Sequence, residues 1–393
     1  MNGEDLYVGN IYQRFPINIS KGKGATVWDT SGREYIDCMG GYGVALVGHC
    51  NDRVVQAIKD QVENLITCHM SIYNDTRLKF LQKISEISPK QLSKFFFSNS
   101  GAESVEAAIK FSRKYTGKSG IISMNGGYHG KTFGALSVTF NEKYRKSFQP
   151  LLEGVKFVPP HTPSVIEEVL DDTIGTVIVE PIQGETGIIV PEDGILQEIR
   201  EICDRNNLVL IFDEIQTGLG RTGKMWAGQN WKTTPDIMCL AKGIAGGLPM
   251  GLTLCKPEIL DSIKIGEHSS TFAGNPLACS AGIATIDSIV EDKLVENALH
   301  IGSLFKNGLL ELQKKHKIIR EVRGLGLMLA VELRFDVRDV LMDGIKEGLL
   351  MLYSGRNIIR LLPPLVLDEV KVLKTLEIMD NILTKEEVRR NVK

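Results

Sequence analysis

Short apolar runs bounded by glycine or polar residues recur through the middle of the chain, at 95–97, 120–124, 155–158, 176–179, 208–212, 237–241 and 251–255. Runs of this length without alternation fit strands buried on both faces, as in parallel sheets covered by helices. Most are separated by helical or loop segments, so they predict an open, mostly parallel, seven-stranded α/β sheet. Upstream, 25–29 and 34–38 flank Thr30-Ser31-Gly32-Arg33, a hairpin turn signal. Val54, Val55, Ile58, Val62 and Leu65 keep helical spacing, as does 77–87. Beyond about residue 300, helical patterns at 304–315, 337–347 and 368–383 alternate with strands near 320–322, 327–333 and one ending at Arg360. That predicts a smaller α+β lobe. The expected division is an N-terminal segment 1–46 packing with the small domain, a large domain 47–278 and a small domain 279–393.

Two of the apolar runs deliver ionisable residues at their ends: 208–212 leads into Asp213 and 237–241 into Lys242. Ligands of open α/β sheets bind outside the carboxyl ends of the strands, so an acid and a lysine there can address one small molecule. A partly desolvated lysine can lose its proton and attack a carbonyl. An acid across the ligand can keep a pyridine nitrogen protonated, the partnership that pyridoxal phosphate demands. An ion pair that merely closes the sheet is the other reading of the same two residues.

The run 95–97 stops at Ser98-Asn99-Ser100-Gly101-Ala102-Glu103, where Ser100 and Glu103 form an S-x-x-E capping box for the next helix. The same helix start, with its free N–H groups and positive dipole end, also suits a phosphate. The stretch Asn125 to Thr132 nearly spells G-x-x-x-x-G-K-[ST], the signature of a nucleotide-hydrolysing P-loop. Asn125 replaces its first glycine, however, and 133–139 reads as extended rather than as the helix that a P-loop opens. Tyr128 is then available to stack on a flat ligand. Tyr12 and Tyr42 read as packing tyrosines in loops.

Composition narrows the classes. A net charge of −2 without a long basic block argues against nucleic-acid binding. Seven scattered cysteines with no C-x-x-C pair argue against a disulfide framework or zinc ribbon, and seven histidines without H-E-x-x-H give no support to a metal. No apolar run approaches membrane-spanning length, and the first ten residues carry Glu4 and Asp5 but no signal-like apolar segment, so a cytoplasmic location is expected.

The ordered set S-G-A-E, G-x-H-G-x-T, E-P-I-Q-G-E, D-E-I-Q-T-G-x-G-R-T-G, A-K-G and S-T-F-x-G-N-P-L-A covers nearly the whole chain. It resembles the class III (ornithine/acetylornithine) family of pyridoxal-phosphate aminotransferases of fold type I. The resemblance implies Lys242 as the Schiff-base lysine and proton shuttle, Asp213 facing the pyridine nitrogen, Gln216 on the ring hydroxyl and Tyr128 stacked on the ring. The phosphate would sit at Ser100, Gly101 and Ala102, with Thr271 supplied by the second subunit of a homodimer. Glutamate would be the usual amino donor and 2-oxoglutarate its product, with Arg360 taking the donor α-carboxylate and Glu185 covering Arg360 for the other substrate. Tyr12 and Tyr42 would join that substrate site. Lys131 departs from the family's usual arginine for the distal carboxylate, exchanging a planar fork for a point charge. Tyr42 and Gly41-Tyr42-Gly43-Val44 look closest to members acting on amino acids linked to a small acidic carrier protein of LysW type in lysine and arginine biosynthesis. Such a carrier would be steered by Lys131, Lys143, Arg145 and Lys146 at the mouth. The alternatives are free acetylornithine or ornithine, and, more distantly, an aminomutase.

Overall fold

The computed structural model describes residues 3–391. Its large sheet has seven strands in the order Lys94–Ser98, Gly251–Cys255, Ile237–Leu240, Val209–Asp213, Ile174–Val179, Gly120–Met124, Val155–Val158. Each apolar run of the sequence supplies one strand. The central strand Val209–Asp213 is buried at all five positions, which is why its sequence is apolar without alternation. Six strands share one direction; Gly251–Cys255 alone is reversed, antiparallel to both neighbours. The reversal follows from the link after Lys242: a single 3-10 turn and two glycines at φ +59° and +112° replace a crossover helix. A parallel return needs a crossover of a dozen or more residues, so the short link permits only an antiparallel one.

Helix Gly101–Thr116 packs along this sheet through Ser104, Ala107, Ala108 and Phe111. Small residues let its backbone approach closely enough for the Ser104 hydroxyl to donate to the Leu252 carbonyl at 2.9 Å. The C-terminal lobe carries an antiparallel sheet in the order Ile319–Leu325, Met328–Leu333, Ile358–Leu361, Leu352–Ser354. The N-terminal hairpin strands Thr26–Asp29 and Glu34–Asp37 extend another small sheet, closed by Leu349–Leu350 parallel to Glu34–Asp37. Helix Pro276–Glu291 runs across residues 278 and 279 and packs on Asp52–Val62 and Asp75–Ile87. Among the described residues no helix is long and apolar enough to cross a membrane, and no cluster of metal-ligating side chains occurs.

One expectation is corrected. Residues 133–139 are not extended: Phe133–Ser137 is a short α-helix. Five residues are too few for helical periodicity to register in a sequence, and the helix depends on tertiary support. That support is Glu106, whose Oε1 accepts the Gly134 and Ala135 N–H groups at 2.8 and 3.1 Å. With a helix following the loop after all, the replacement of the first glycine by Asn125 is the objection to a P-loop that stands.

Candidate active site

The carboxyl ends of five strands that share one direction open on a cavity of ≈670 Å³, a size that suits a cofactor and a small substrate. Strand register sets its centre. Asp213 pairs with Cys239 across neighbouring parallel strands, and Lys242 follows three residues beyond. Asp213 is only 4% exposed. Its Oδ1 accepts from the Ile215 N–H at 3.1 Å and its Oδ2 lies 2.8 Å from Nδ1 of buried His129. Lys242 sits at φ +49°, a left-handed conformation rare for residues with a Cβ and one that the surrounding structure must enforce. Burial pushes its ammonium down to about 8; Asp213 opposes that shift and the Arg360 charge adds to it.

At one end of the cavity stand Ser100, Gly101 and Ala102. The Ser100 hydroxyl caps the helix by accepting from the Glu103 N–H at 3.2 Å. The Glu103 carboxylate reaches back to the Asn99 N–H rather than to that of Ser100. Neither contact consumes the N–H groups of Gly101 and Ala102, which remain for an anion at a sixteen-residue helix start. Gly130, at φ +135°, presses on Ala102 so closely that a Cβ there would lie 2.9 Å from the alanine methyl.

The middle of the cavity is bordered by Tyr128, Gln216 and Glu180. Glu180 accepts the Tyr128 N–H at 2.9 Å and the Gly184 N–H at 3.1 Å. Burial pushes its carboxyl up to about 7, with His129 opposing and Asp213 adding to the rise. The Gln216 amide donates to the Tyr42 carbonyl at 3.3 Å, while its Oε1 is buried without a partner. Gly184 lies against that amide, so a Cβ there would push the Gln216 side chain aside.

Tyr12, Tyr42, Lys131 and Glu185 also border the cavity. Arg360 lies behind them, 1% exposed, with Nη1 3.1 Å from Glu185 Oε2 and 3.2 Å from the Gly184 carbonyl. Its guanidinium carbon is 5.5 Å from the Tyr42 ring centroid, and its Nε and Nη2 are buried without partners. Thr271 is exposed and borders no part of its own chain's cavity. The adjacent Ser270 is tied to the cavity rim by Asn99, whose amide donates to its hydroxyl at 3.1 Å. Of the four basic residues expected at the mouth, only Lys131 borders the cavity; the Arg145 guanidinium lies 4.6 Å over Phe157.

His129, Glu180 and Tyr144 were given no role by the sequence. Glu180 had a usable signal, since it ends a strand as Asp213 does. His129 stands inside the G-x-H-G-x-T motif, and Tyr144 has no motif at all.

An unpartnered buried amide oxygen, open helix N–H groups, a buried carboxylate and a lysine titrating near neutrality together fit pyridoxal phosphate. The class that this arrangement fits is a pyridoxal-phosphate-dependent enzyme. The family model for class-III aminotransferases matches residues 7–383. The acetylornithine aminotransferase of Methanopyrus kandleri is 44% identical over 375 residues, covering 95% of each chain. That of Caldanaerobacter subterraneus is 42% identical over 388 residues, covering 97% of this chain and 98% of the relative. Among solved structures, the ornithine aminotransferase of Toxoplasma gondii superposes with TM-score 0.93 at 32% identity, covering 98% of this chain and 94% of that one. The acetylornithine aminotransferase of Elizabethkingia anophelis gives 0.86 at 32%, with 97% of each chain covered. The chain belongs to the class-III aminotransferase family, and it is a pyridoxal-phosphate-dependent transaminase.

When bound, the cofactor supplies a ring that draws in the electron pair left on a substrate carbon after proton removal. Lys242, tethered and close to neutral, would hold the cofactor and then move that proton. Only the neutral amine attacks a carbonyl, so capture of pyridoxal phosphate by the cofactor-free protein should speed up as pH rises through about 8 and then level off. Stopped-flow absorbance measures this rate; a midpoint near 10.5 would contradict the burial of Lys242. Borohydride should fix no cofactor to Lys242→Ala.

Proposed function

We propose that this chain moves the terminal amino group of a free, acetylornithine-type amino acid to 2-oxoglutarate, and in reverse takes it from glutamate. The observation that carries this reading is the Arg360–Glu185 pair. A fully buried guanidinium keeps two nitrogens unpartnered while a carboxylate from the cavity wall covers a third. Two substrates share such a pocket if one brings its own α-carboxylate to the arginine and the other leaves the pair closed. An aminomutase, which needs no external donor, has no use for that alternation.

The relatives support a free amino acid over the carrier-linked one that the sequence suggested, since those described above are named acetylornithine or ornithine aminotransferases. Lys131 favours the acylated amino acid over ornithine: acetylation removes a positive charge that would otherwise stand beside the lysine.

In this reading Lys242 is the cofactor lysine and Asp213 the partner of the ring nitrogen, positioned by His129. Tyr128 and Gln216 flank the ring, and Gly101 and Ala102 hold the phosphate. We further propose a homodimer in which Thr271 completes the neighbour's phosphate site. Buried Arg77 knots the chain locally, donating to the carbonyls of Cys68, Ile72 and Gly274 at 2.6, 3.0 and 2.8 Å. Around this ordered knot Met70, Ile72, Tyr73 and Phe272 are exposed, an apolar group that a second copy would cover.

Comparing kcat/KM for free acetylornithine, free ornithine and a carrier-linked substrate at two ionic strengths tests which amino acid pairs with 2-oxoglutarate. Acetylornithine should exceed ornithine by about fivefold, from roughly 1 kcal/mol of like-charge repulsion near 4 Å in water. Turnover of the carrier-linked substrate alone, falling with salt, would reverse the assignment. For the assembly, mixing and refolding inactive Thr271→Ala and Lys242→Ala chains should restore part of the activity through hybrid dimers, and a fully active monomer in ultracentrifugation would exclude it.

A further inference from the structure

We propose that Tyr144 is a positioning residue that holds Glu185 over Arg360 and couples that cover to Lys131, which borders the same cavity. The inference rests on the two-substrate reading above and adds the element that governs its alternation. Tyr144 projects into the cavity from the four-residue helix Glu142–Arg145. Its hydroxyl lies 3.4 Å from Glu185 Oε1, while Glu185 Oε2 lies 3.1 Å from Arg360 Nη1. Each oxygen of the covering carboxylate therefore has its own donor. On its face, the Tyr144 ring carries the Lys131 ammonium 4.8 Å from the centroid, and the Tyr128 ring meets it edge-on at 6.0 Å and 80°.

The chemistry of the contacts sets a direction. Burial, and after it the Glu185 charge, push the phenol above its ordinary range, so it stays protonated and donates to the carboxylate. Glutamate must drive Glu185 off Arg360 to seat its own α-carboxylate, and the phenol opposes that displacement. The other substrate brings no carboxylate to Arg360, and for it the closed pair is the productive arrangement. A carboxylate arriving at Lys131 competes with the ring face for the same ammonium. One aromatic side chain thus touches both of the groups that sort carboxylates in this cavity.

Tyr144→Phe keeps the ring, its Lys131 contact and its Tyr128 contact, and removes only the hydroxyl. The test measures both half-reactions of the holoenzyme in single turnovers, following cofactor absorbance with glutamate and with acetylornithine. The expected result is a threefold to tenfold shift of the kcat/KM ratio toward glutamate, carried by a lower KM for glutamate, with the resting cofactor spectrum unchanged. In a Glu185→Ala background the same substitution should leave the ratio where it was. An unmoved ratio, an equal loss in both half-reactions, or a shift that persists without Glu185 would overturn the coupling. If the unaltered enzyme itself fails to react with glutamate, the two-substrate reading fails instead, so the two failures are told apart by the wild-type control.

Discussion

Two charged groups are forced together at the centre of this protein, and the register of two buried strands does the forcing. Asp213 stands opposite Cys239, and Lys242 follows at a left-handed backbone position just past the same edge. Both are buried, so their charges act on each other more strongly than they would in solvent. Burial depresses Lys242 more than Asp213 restores it, leaving an amine that titrates near neutrality. In the proposed chemistry the same acid faces the cofactor ring, and the lysine is both anchor and proton carrier.

Around that pair the cavity holds a graded set of ionisable groups. His129 bridges Asp213 to the interior at 2.8 Å, and Glu180, pushed up to about 7, stands near both. The His129 contact fixes the orientation of the Asp213 carboxylate toward the cavity. Further out, Glu185 neutralises Arg360 and Tyr144 steadies Glu185. Charge is matched layer by layer, so each layer can respond when a substrate carboxylate replaces a protein one.

Much of this frame was legible because burial on both faces writes itself as unbroken apolar runs, and strand ends carry the chemistry. That rule singled out Asp213, Lys242 and Ser100 as candidates, and the resemblance assigned their roles. Roles for Gln216, Glu185 and Arg360 came only from family resemblance, since nothing local distinguishes a buried arginine on Ile358–Leu361 from an exposed one. The reversal of Gly251–Cys255 was hidden in the length of a link. The helix Phe133–Ser137 was hidden in its dependence on Glu106, 28 residues earlier for Gly134. His129 and Tyr144 acquire meaning through partners 84 and 41 residues away, contacts that no pattern of spacing encodes. The placement of the Arg145 guanidinium over the ring of Phe157 is another contact that spacing does not encode.

The central claim is that Asp213, steadied by His129, keeps the cofactor ring nitrogen protonated. Nitrogen-15 NMR of the holoenzyme carrying ring-labelled pyridoxal phosphate reads that proton directly. The account predicts a pyridinium-type shift that stays constant from about pH 6 to 9 and moves toward the neutral-pyridine value in Asp213→Asn. A ring nitrogen that titrates within this range in the unaltered protein, or one indifferent to Asp213→Asn, would contradict it.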